Sequence, residues 1–289
     1  MTMKLLGRIL ITAVAVALAL VVIWNIWIYY EVAPRTRDGH IAATVVTVAP
    51  KVSGEVVKIA VRDNQTVKKG DLLYQIDPQR YRIAVAQAQS ALEGASATLE
   101  QARRDSARYQ KLNDSATTPQ QREQASTSVQ KAEAAVNADK SALDLAKLNL
   151  SDTQVRAPVN GNVTNLQLGV GDYVGAGTPV MAVVDRDSYY IVGYFEETKL
   201  SRIAVGDKVK VWPMGGAKPF YGHVTGVAAA IPDGSASGTS QLLPNVSPTF
   251  SWVRLAQRVP VRIAFDDPTV AKRMVAGRTV SIDVLGGAD

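Results

Sequence analysis

The chain has 289 residues, a formal net charge of +6 and no cysteine. The missing cysteines exclude disulfides, thiolate metal sites, thiol catalysis and a lipid-modified N-terminal cysteine. The positive charge is modest and spread along the chain, without the basic run interleaved with aromatics that a nucleic-acid surface requires, and the length calls for two or three units.

From Ile9 to Tyr30 only Thr12 and Asn25 interrupt an apolar run that carries no charge. As a helix rising about 1.5 Å per residue it reaches roughly 33 Å, enough for a hydrocarbon core of about 30 Å. Trp24, Trp27, Tyr29 and Tyr30 gather at its far end, where amphipathic rings favour the membrane interface. A cleaved signal peptide would have a shorter apolar core followed by a small-residue site. Here Ala13, Ala15, Ala17 and Ala19 lie inside the run, and bulky aromatics follow it. Residues 1–31 are therefore expected to form a cytoplasmic tail and a transmembrane anchor. Lys4 and Arg8 before the span and Arg35 and Arg37 after it nearly balance, so the simpler topology, with everything after Tyr30 exported, sets the orientation. Residues 32–46 follow as a linker and leading strand.

Two stretches further on are nearly the same. Ala49-Pro50-Lys51-Val52-Ser53-Gly54-Glu55-Val56 leads to Val67-Lys68-Lys69-Gly70-Asp71, and Ala157-Pro158-Val159-Asn160-Gly161-Asn162-Val163 leads to Val174-Gly175-Ala176-Gly177-Thr178. An offset of 107 residues sets Gly54 on Gly161, Val56 on Val163, Val67 on Val174, Gly70 on Gly177 and Ile76 on Val183, without a gap. Short β-branched runs alternate with turn residues in both, at Asp63-Asn64 and Gly171-Asp172 and around Gly70 and Gly177. Residues 47–78 and 153–186 are thus two halves of one small β domain, able to close into a flattened barrel or sandwich.

The insert between them, 79–152, holds one glycine, Gly94, and one proline, Pro119. Val85, Leu92 and Leu99 recur every seven residues, as do Tyr81, Ala88, Ala95, Ala102 and Tyr109. In the second half the series are Val129, Val136, Leu143, Leu150 and Ala125, Ala132, Ala146, with Asp139 as the polar break. These heptads predict two helices, each with an a/d seam, packed antiparallel as a coiled-coil hairpin. Asn113, Asp114 and Ser115 break the pattern, and Thr118 with Pro119 and Gln121 carries a capping-box signature. An alanine seam removes little apolar area from water, so the hairpin is expected to need neighbouring hairpins from other subunits. An independent spacer is the alternative.

After the second half-repeat, Tyr189 to Leu200 and Gly206 to Val211 alternate apolar and polar positions as strands do. The half-motifs resemble the two halves of a biotinyl/lipoyl-type domain. Their arrangement around a hairpin resembles the membrane fusion proteins, the periplasmic adaptors of bacterial efflux pumps and secretion systems in the HlyD/EmrA superfamily. An enzyme carrier of the lipoyl type would present a lysine at the turn between its halves. The insert occupies that turn, and Lys68 and Lys69 lie in another. The segment Trp252-Val253-Arg254-Leu255-Ala256-Gln257-Arg258-Val259-Pro260-Val261-Arg262-Ile263 is similar to adaptors of the EmrA and AaeA types. The short hairpin, the total length and the segment from Leu242 to Trp252 are closer to the AaeA type, the aromatic carboxylic acid efflux adaptors.

The resemblance implies a mixed α and β, elongated fold: an N-terminal transmembrane helix, a split lipoyl-like domain interrupted by the hairpin, and a C-terminal β-barrel over 187–289. It implies an inner-membrane, mostly periplasmic protein that links an inner-membrane transporter to an outer-membrane TolC-like channel, self-associates as a trimer or hexamer, and needs no cofactor. Aromatic carboxylic acids are the implied cargo, with a multidrug adaptor or a membrane-anchored oligomerisation protein as alternatives. In many adaptors of this family an Arg, a Leu four later and a Ser or Thr about seven further on contact the channel. Arg108 and Leu112 fit, while Thr118 comes one residue early because Pro119 holds the expected place. The plain alternatives are a solvated Arg108, a last seam contact at Leu112 and a cap at Thr118. In the Trp252 motif, Val253, Leu255, Val259, Val261 and Ile263 read as barrel strand, with Pro260 at an edge or bulge. Trp252, Arg254, Gln257 and Arg258 are candidates for the transporter or barrel interface. The stretch from Ile231 to Phe250 has neither helical nor strand period. Catalysis finds no support: His40 and His223 are far apart, and no HExxH, GxSxG or P-loop pattern occurs.

Overall fold

The computed structural model describes residues 2–27, 33–112, 117–216, 218–231, 236–237, 245–246 and 256–286, with side chains from residue 12 onward and backbone alone at 236–237 and 245–246. The chain divides into two units, one of residues 45–185 and one of residues 1–44 with 186–289. In chain order come α1 (Thr2–Trp27), β1 (Arg35–Ala42), β2 (Val45–Val48), β3 (Gly54–Ile59), β4 (Thr66–Val67) and β5 (Leu72–Ile76). The hairpin helices α2 (Gln79–Lys111) and α3 (Pro119–Ser151) follow, then β6 (Gln154–Arg156), β7 (Gly161–Thr164), β8 (Tyr173–Val174) and β9 (Met181–Asp185). The last part holds β10 (Tyr190–Glu196), β11 (Lys208–Pro213), β12 (Phe220–Val227), β13 (Ala236–Ser237), β14 (Asn245–Val246), β15 (Arg258–Phe265), α4 (Pro268–Ala271) and β16 (Thr279–Val284).

In the unit 45–185 the two half-repeats exchange strands. One four-stranded sheet has the order β2-β9-β7-β4 and the other β6-β5-β3-β8, so each sheet takes two strands from each half. Hydrogen bonds come in equivalent pairs. Val56 N–H donates to Asp172 O at 2.8 Å and Val163 N–H to Gln65 O at 2.9 Å. Gly70 N–H donates to Ala157 O and Gly177 N–H to Pro50 O, both at 2.8 Å. The glycines that align in sequence do the same work: a Cβ at Gly54 would lie 2.6 Å from Ile76 Cγ2, and one at Gly161 would lie 2.1 Å from Val184 O. At the equivalent turns Asn64 has φ 63° and Gly171 φ 97°, the left-handed region that Asn and Gly enter most readily. Val56, Val163, Ile76 and Val183 are fully buried between the sheets, together with Leu73 and Tyr74. Burial of each such aliphatic side chain contributes about 1.5–3 kcal/mol.

The helices leave and rejoin this sandwich after β5 and before β6. Along α2 and α3 the residues of the two heptad series are withdrawn from solvent except Tyr109, which is exposed; Ala132 and Leu143 are the buried apolar ones of α3, and Ser106 is buried in α2 as well. Most of the rest of the seam is only half buried, as expected where alanines face each other. Tyr81 differs from its expected place in the seam. Its ring joins the core of the sandwich and its hydroxyl donates to Ser53 O at 2.8 Å, because a residue in the first turn of α2 is still within reach of β3.

In the other unit, β1-β10-β15-β12-β11-β16 close into a barrel. Inward and outward residues alternate along β10, β15 and β16, and Ile41, Phe195, Val209, Val261, Ile263 and Val280 fill the interior. Pro260 is not at an edge: it lies within β15 opposite Tyr194, and the closed barrel leaves its strand flanked by β10 and β12. The register slip lies instead on β12, between Val224 and Gly226. Arg35 donates to both carboxylate oxygens of Asp283, at 2.8 and 2.6 Å, across the β1–β16 seam. Within 231–250 the described residues include a short antiparallel pair, β13 with β14, where no strand had been expected. Apart from Ile231, the remainder of that stretch lies outside the described residues.

The expected membrane span, Ile9 to Tyr30, is only partly covered. Side chains are described from Thr12 to Trp27, a length of about 24 Å as a helix. Among the described residues no helix is long and apolar enough to cross a membrane. Over that stretch Leu18, Leu20, Ile23, Trp24 and Trp27 are exposed, and the two indoles meet edge to face with centroids 6.1 Å apart.

Candidate functional site

The free end of the hairpin is built by short-range chemistry. The four terminal carbonyls of α2 and the four first N–H groups of α3 have no partner inside their own helix. At α3, Thr118 Oγ1 accepts from Gln121 N–H at 3.3 Å, while Gln121 Oε1 accepts from Thr118 N–H at 2.9 Å. This reciprocal cap, with Pro119 opening the helix, is what the Thr-Pro-Gln-Gln order encodes. At α2, Arg108 and Lys111 stand in the last turn, where cations favour the negative end of the helix dipole.

Three sequence-derived candidates come to this end. Arg108 is exposed, its Nη1 3.3 Å from Asp105 Oδ1 one turn back. Leu112 follows α2 with an extended backbone and is 38% exposed. Thr118 is exposed, but its hydroxyl already serves the cap. Residues 113–116, which include the expected break at Asn113 to Ser115, lie outside the described residues.

Two further residues complete the site and were not singled out from the sequence. Arg122 Nη2 donates to Leu112 O at 2.8 Å, tying the first turn of α3 to the end of α2. Thr117 is buried, and its hydroxyl donates to Gln121 Oε1 at 3.2 Å. The four-residue spacing of Thr117 and Gln121 was available as a signal. The Arg122 contact closes across the turn and had none. Below the tip, a groove of about 400 Å³ runs between the helices, walled by Ala102, Asp105, Tyr109, Gln124 and Ser128. The helices are also joined by Arg103 Nη2 and Glu133 Oε1 at 2.7 Å. The tip thus offers an apolar side chain and a guanidinium on a tied backbone, a surface for contact.

The second candidate group is dispersed. Trp252 and Arg254 lie outside the described residues. Gln257 accepts Glu197 N–H at its main-chain oxygen at 2.9 Å. Arg258 opens β15 and its guanidinium pairs with Asp38 of β1, whose other oxygen lies 3.3 Å from His40 Nε2. Arg258 therefore helps hold two barrel strands. Among the described residues no three His, Cys, Asp or Glu side chains come together to hold a metal ion.

Comparison with known proteins bears on both units. Residues 44–186 match the family profile described as RND MFP, barrel-sandwich hybrid domain, and residues 188–285 match the AAEA-like beta-barrel domain. The uncharacterized protein YdhJ of Escherichia coli strain K12 is 40% identical over 283 residues, covering 98% of each chain. Among solved structures, the membrane fusion protein Spr0693 from Streptococcus pneumoniae R6 is similar with a TM-score of 0.64 at 14% identity, over 87% of this chain and 98% of that one. A MacA-MexA chimeric protein containing the Pseudomonas aeruginosa MexA α-hairpin domain gives 0.60 at 23% identity, over 90% and 84%.

Proposed function

Because the chain belongs to the membrane fusion proteins, the periplasmic adaptors of AaeA type, we propose that it joins an inner-membrane transporter to an outer-membrane channel in a tripartite efflux pump. Proteins of this family are not enzymes. They self-associate and work with transporters and channels. The observation that carries the reading is the hairpin end: Leu112 and Arg108 exposed on a backbone tied by Arg122 and capped by Thr118. A Leu on a fixed turn can fill a small apolar groove, and a guanidinium can make forked bonds to carbonyls or carboxylates of a partner.

In this reading Arg108, Leu112 and Thr118 meet the channel. The apolar run 9–30 anchors the chain in the inner membrane with the rest in the periplasm. The hairpin, whose alanine seam removes little apolar area from water, packs beside neighbouring hairpins in a trimer or hexamer, and the barrel, with Trp252, Arg254, Gln257 and Arg258, faces the transporter. The cargo is a small aromatic carboxylic acid. The test is complementation of a strain lacking the gene. Wild-type chain should restore growth on inhibitory benzoate or salicylate, and Arg108→Asp with Leu112→Ser should not, at unchanged protein level. Full resistance from the double variant would refute the tip assignment. Loss of resistance to neutral drugs but not to aromatic acids on deletion would refute the cargo.

A further inference from the structure

At the root of the hairpin, inside the unit 45–185, a cleft of about 870 Å³ opens between α3, the start of α2 and strands β2 and β6. Its apolar lining comes from Val48, Leu150 and Val155. Four cations line it as well: Lys51, Arg82, Lys147 and Arg156. Among the described residues one carboxylate stands on its wall, Asp152, and Lys51 Nζ lies 3.4 Å from it. Arg156 is committed to the protein, donating from Nη1 to Gly70 O at 2.9 Å and from Nη2 to Gln154 Oε1 at 2.7 Å. Arg82 and Lys147 differ. Among the described residues their side chains have no hydrogen bond or ion pair, and both line the same cleft.

We propose that this cleft binds a small organic monoanion, its apolar body against Val48, Leu150 and Val155 and its carboxylate between Arg82 and Lys147. The volume falls in the range of small-molecule sites, about 300–1,000 Å³. The charge selects the sign: four cations against one paired carboxylate leave an anion as the group that balances the site. The apolar lining selects the body, because inorganic phosphate or sulfate would leave that surface wet and gain nothing from it. Uncommitted donors on two helices suit a single carboxylate, since charge-assisted bonds to it form without breaking any existing contact. Binding here would join α2, α3 and the β2 edge through one ligand. That the occupant is pump cargo rests on the efflux reading; that the cleft binds does not.

The experiment is calorimetric titration of the purified full-length chain in detergent with benzoate, with neutral benzamide, and with inorganic phosphate. The proposal expects saturable benzoate binding at one site per chain, at least tenfold weaker binding of benzamide and phosphate, and weakening of benzoate by raised salt. Arg82→Gln and Lys147→Gln are both at exposed positions and should each weaken benzoate by about three- to fivefold, and together by about tenfold or more. Benzoate and benzamide binding alike, phosphate binding as tightly as benzoate, or a double variant that binds like wild type would each overturn it. Intact binding with failed export in cells would refute the pump role and leave the site standing.

Discussion

Tyr74 is a conflict built into the core of the unit 45–185, and removing its hydroxyl should strengthen the protein. The side chain lies on β5 at 0% exposure, and its hydroxyl has no hydrogen-bond partner among the described residues. An unmade bond on a buried polar group costs about 1–3 kcal/mol. Phenylalanine keeps the ring and leaves a gap of one oxygen, so Tyr74→Phe should stabilise by roughly 1 kcal/mol once some lost packing is counted. The pH dependence supplies a second, independent signature. Burial pushes the Tyr74 hydroxyl from its ordinary 10.0 up to about 12. Below pH 10 both folded and unfolded chains hold the proton. Between 10 and 12 the unfolded chain releases it first, so stability falls as pH rises. At pH 11 the unfolded group is mostly ionised and the folded one is not, a difference of about 1.4 kcal/mol that phenylalanine abolishes. Urea unfolding in detergent, followed by circular dichroism at 222 nm, reads mainly α2 and α3 and hence this unit. The advantage of Tyr74→Phe over wild type should be near 1 kcal/mol at pH 8 and roughly twice that at pH 11. A less stable variant, or an advantage that does not grow with pH, would refute the reasoning.

Thr118→Ala removes one half of the reciprocal cap and should lower stability by about 1 kcal/mol, seen as loss of amide-exchange protection in the first turn of α3. Gly161→Ala drives a Cβ to 2.1 Å from Val184 O and 2.8 Å from Val183 Cγ1, and should destabilise by at least about 1–3 kcal/mol in urea unfolding. Gly94→Ala is the internal control: nothing lies within 4 Å of the added atom in mid-helix, so stability should rise by about 0.5–1 kcal/mol. Asp283→Asn breaks the paired Arg35 contact across the barrel seam, and exchange protection should fall in β1 and β16 while α2 and α3 are unchanged.

The hairpin shows where reading the sequence succeeds. Leu92, Leu99, Leu143 and Leu150 repeat at seven because a helix face is a local property, and these positions are indeed the ones withdrawn from solvent. The cap at Thr118 was legible for the same reason, since it joins atoms three residues apart. Tyr81 shows the limit. Spacing assigned it to the helix seam, but its hydroxyl finds Ser53 O, 28 residues earlier, and the ring goes with it into the sandwich. Pro260 is expected at an edge or bulge because its missing N–H disfavours interior strands, yet barrel closure leaves its strand flanked on both sides and the register slip falls on β12. Arg122 and Arg258 likewise take partners on other elements, Leu112 O and the Asp38 carboxylate.

By itself the sequence determined that residues 107 apart would play equal parts, and that a long helical insert would separate them. The tertiary structure alone decided how the halves combine. Each sheet draws on both halves, so Val56 is bonded through Asp172 and Val163 through Gln65. The physical reason is one of range: periodicity, caps and turn glycines act over a few residues, whereas strand exchange and the cleft at the hairpin root exist only after segments far apart in the chain have been brought together.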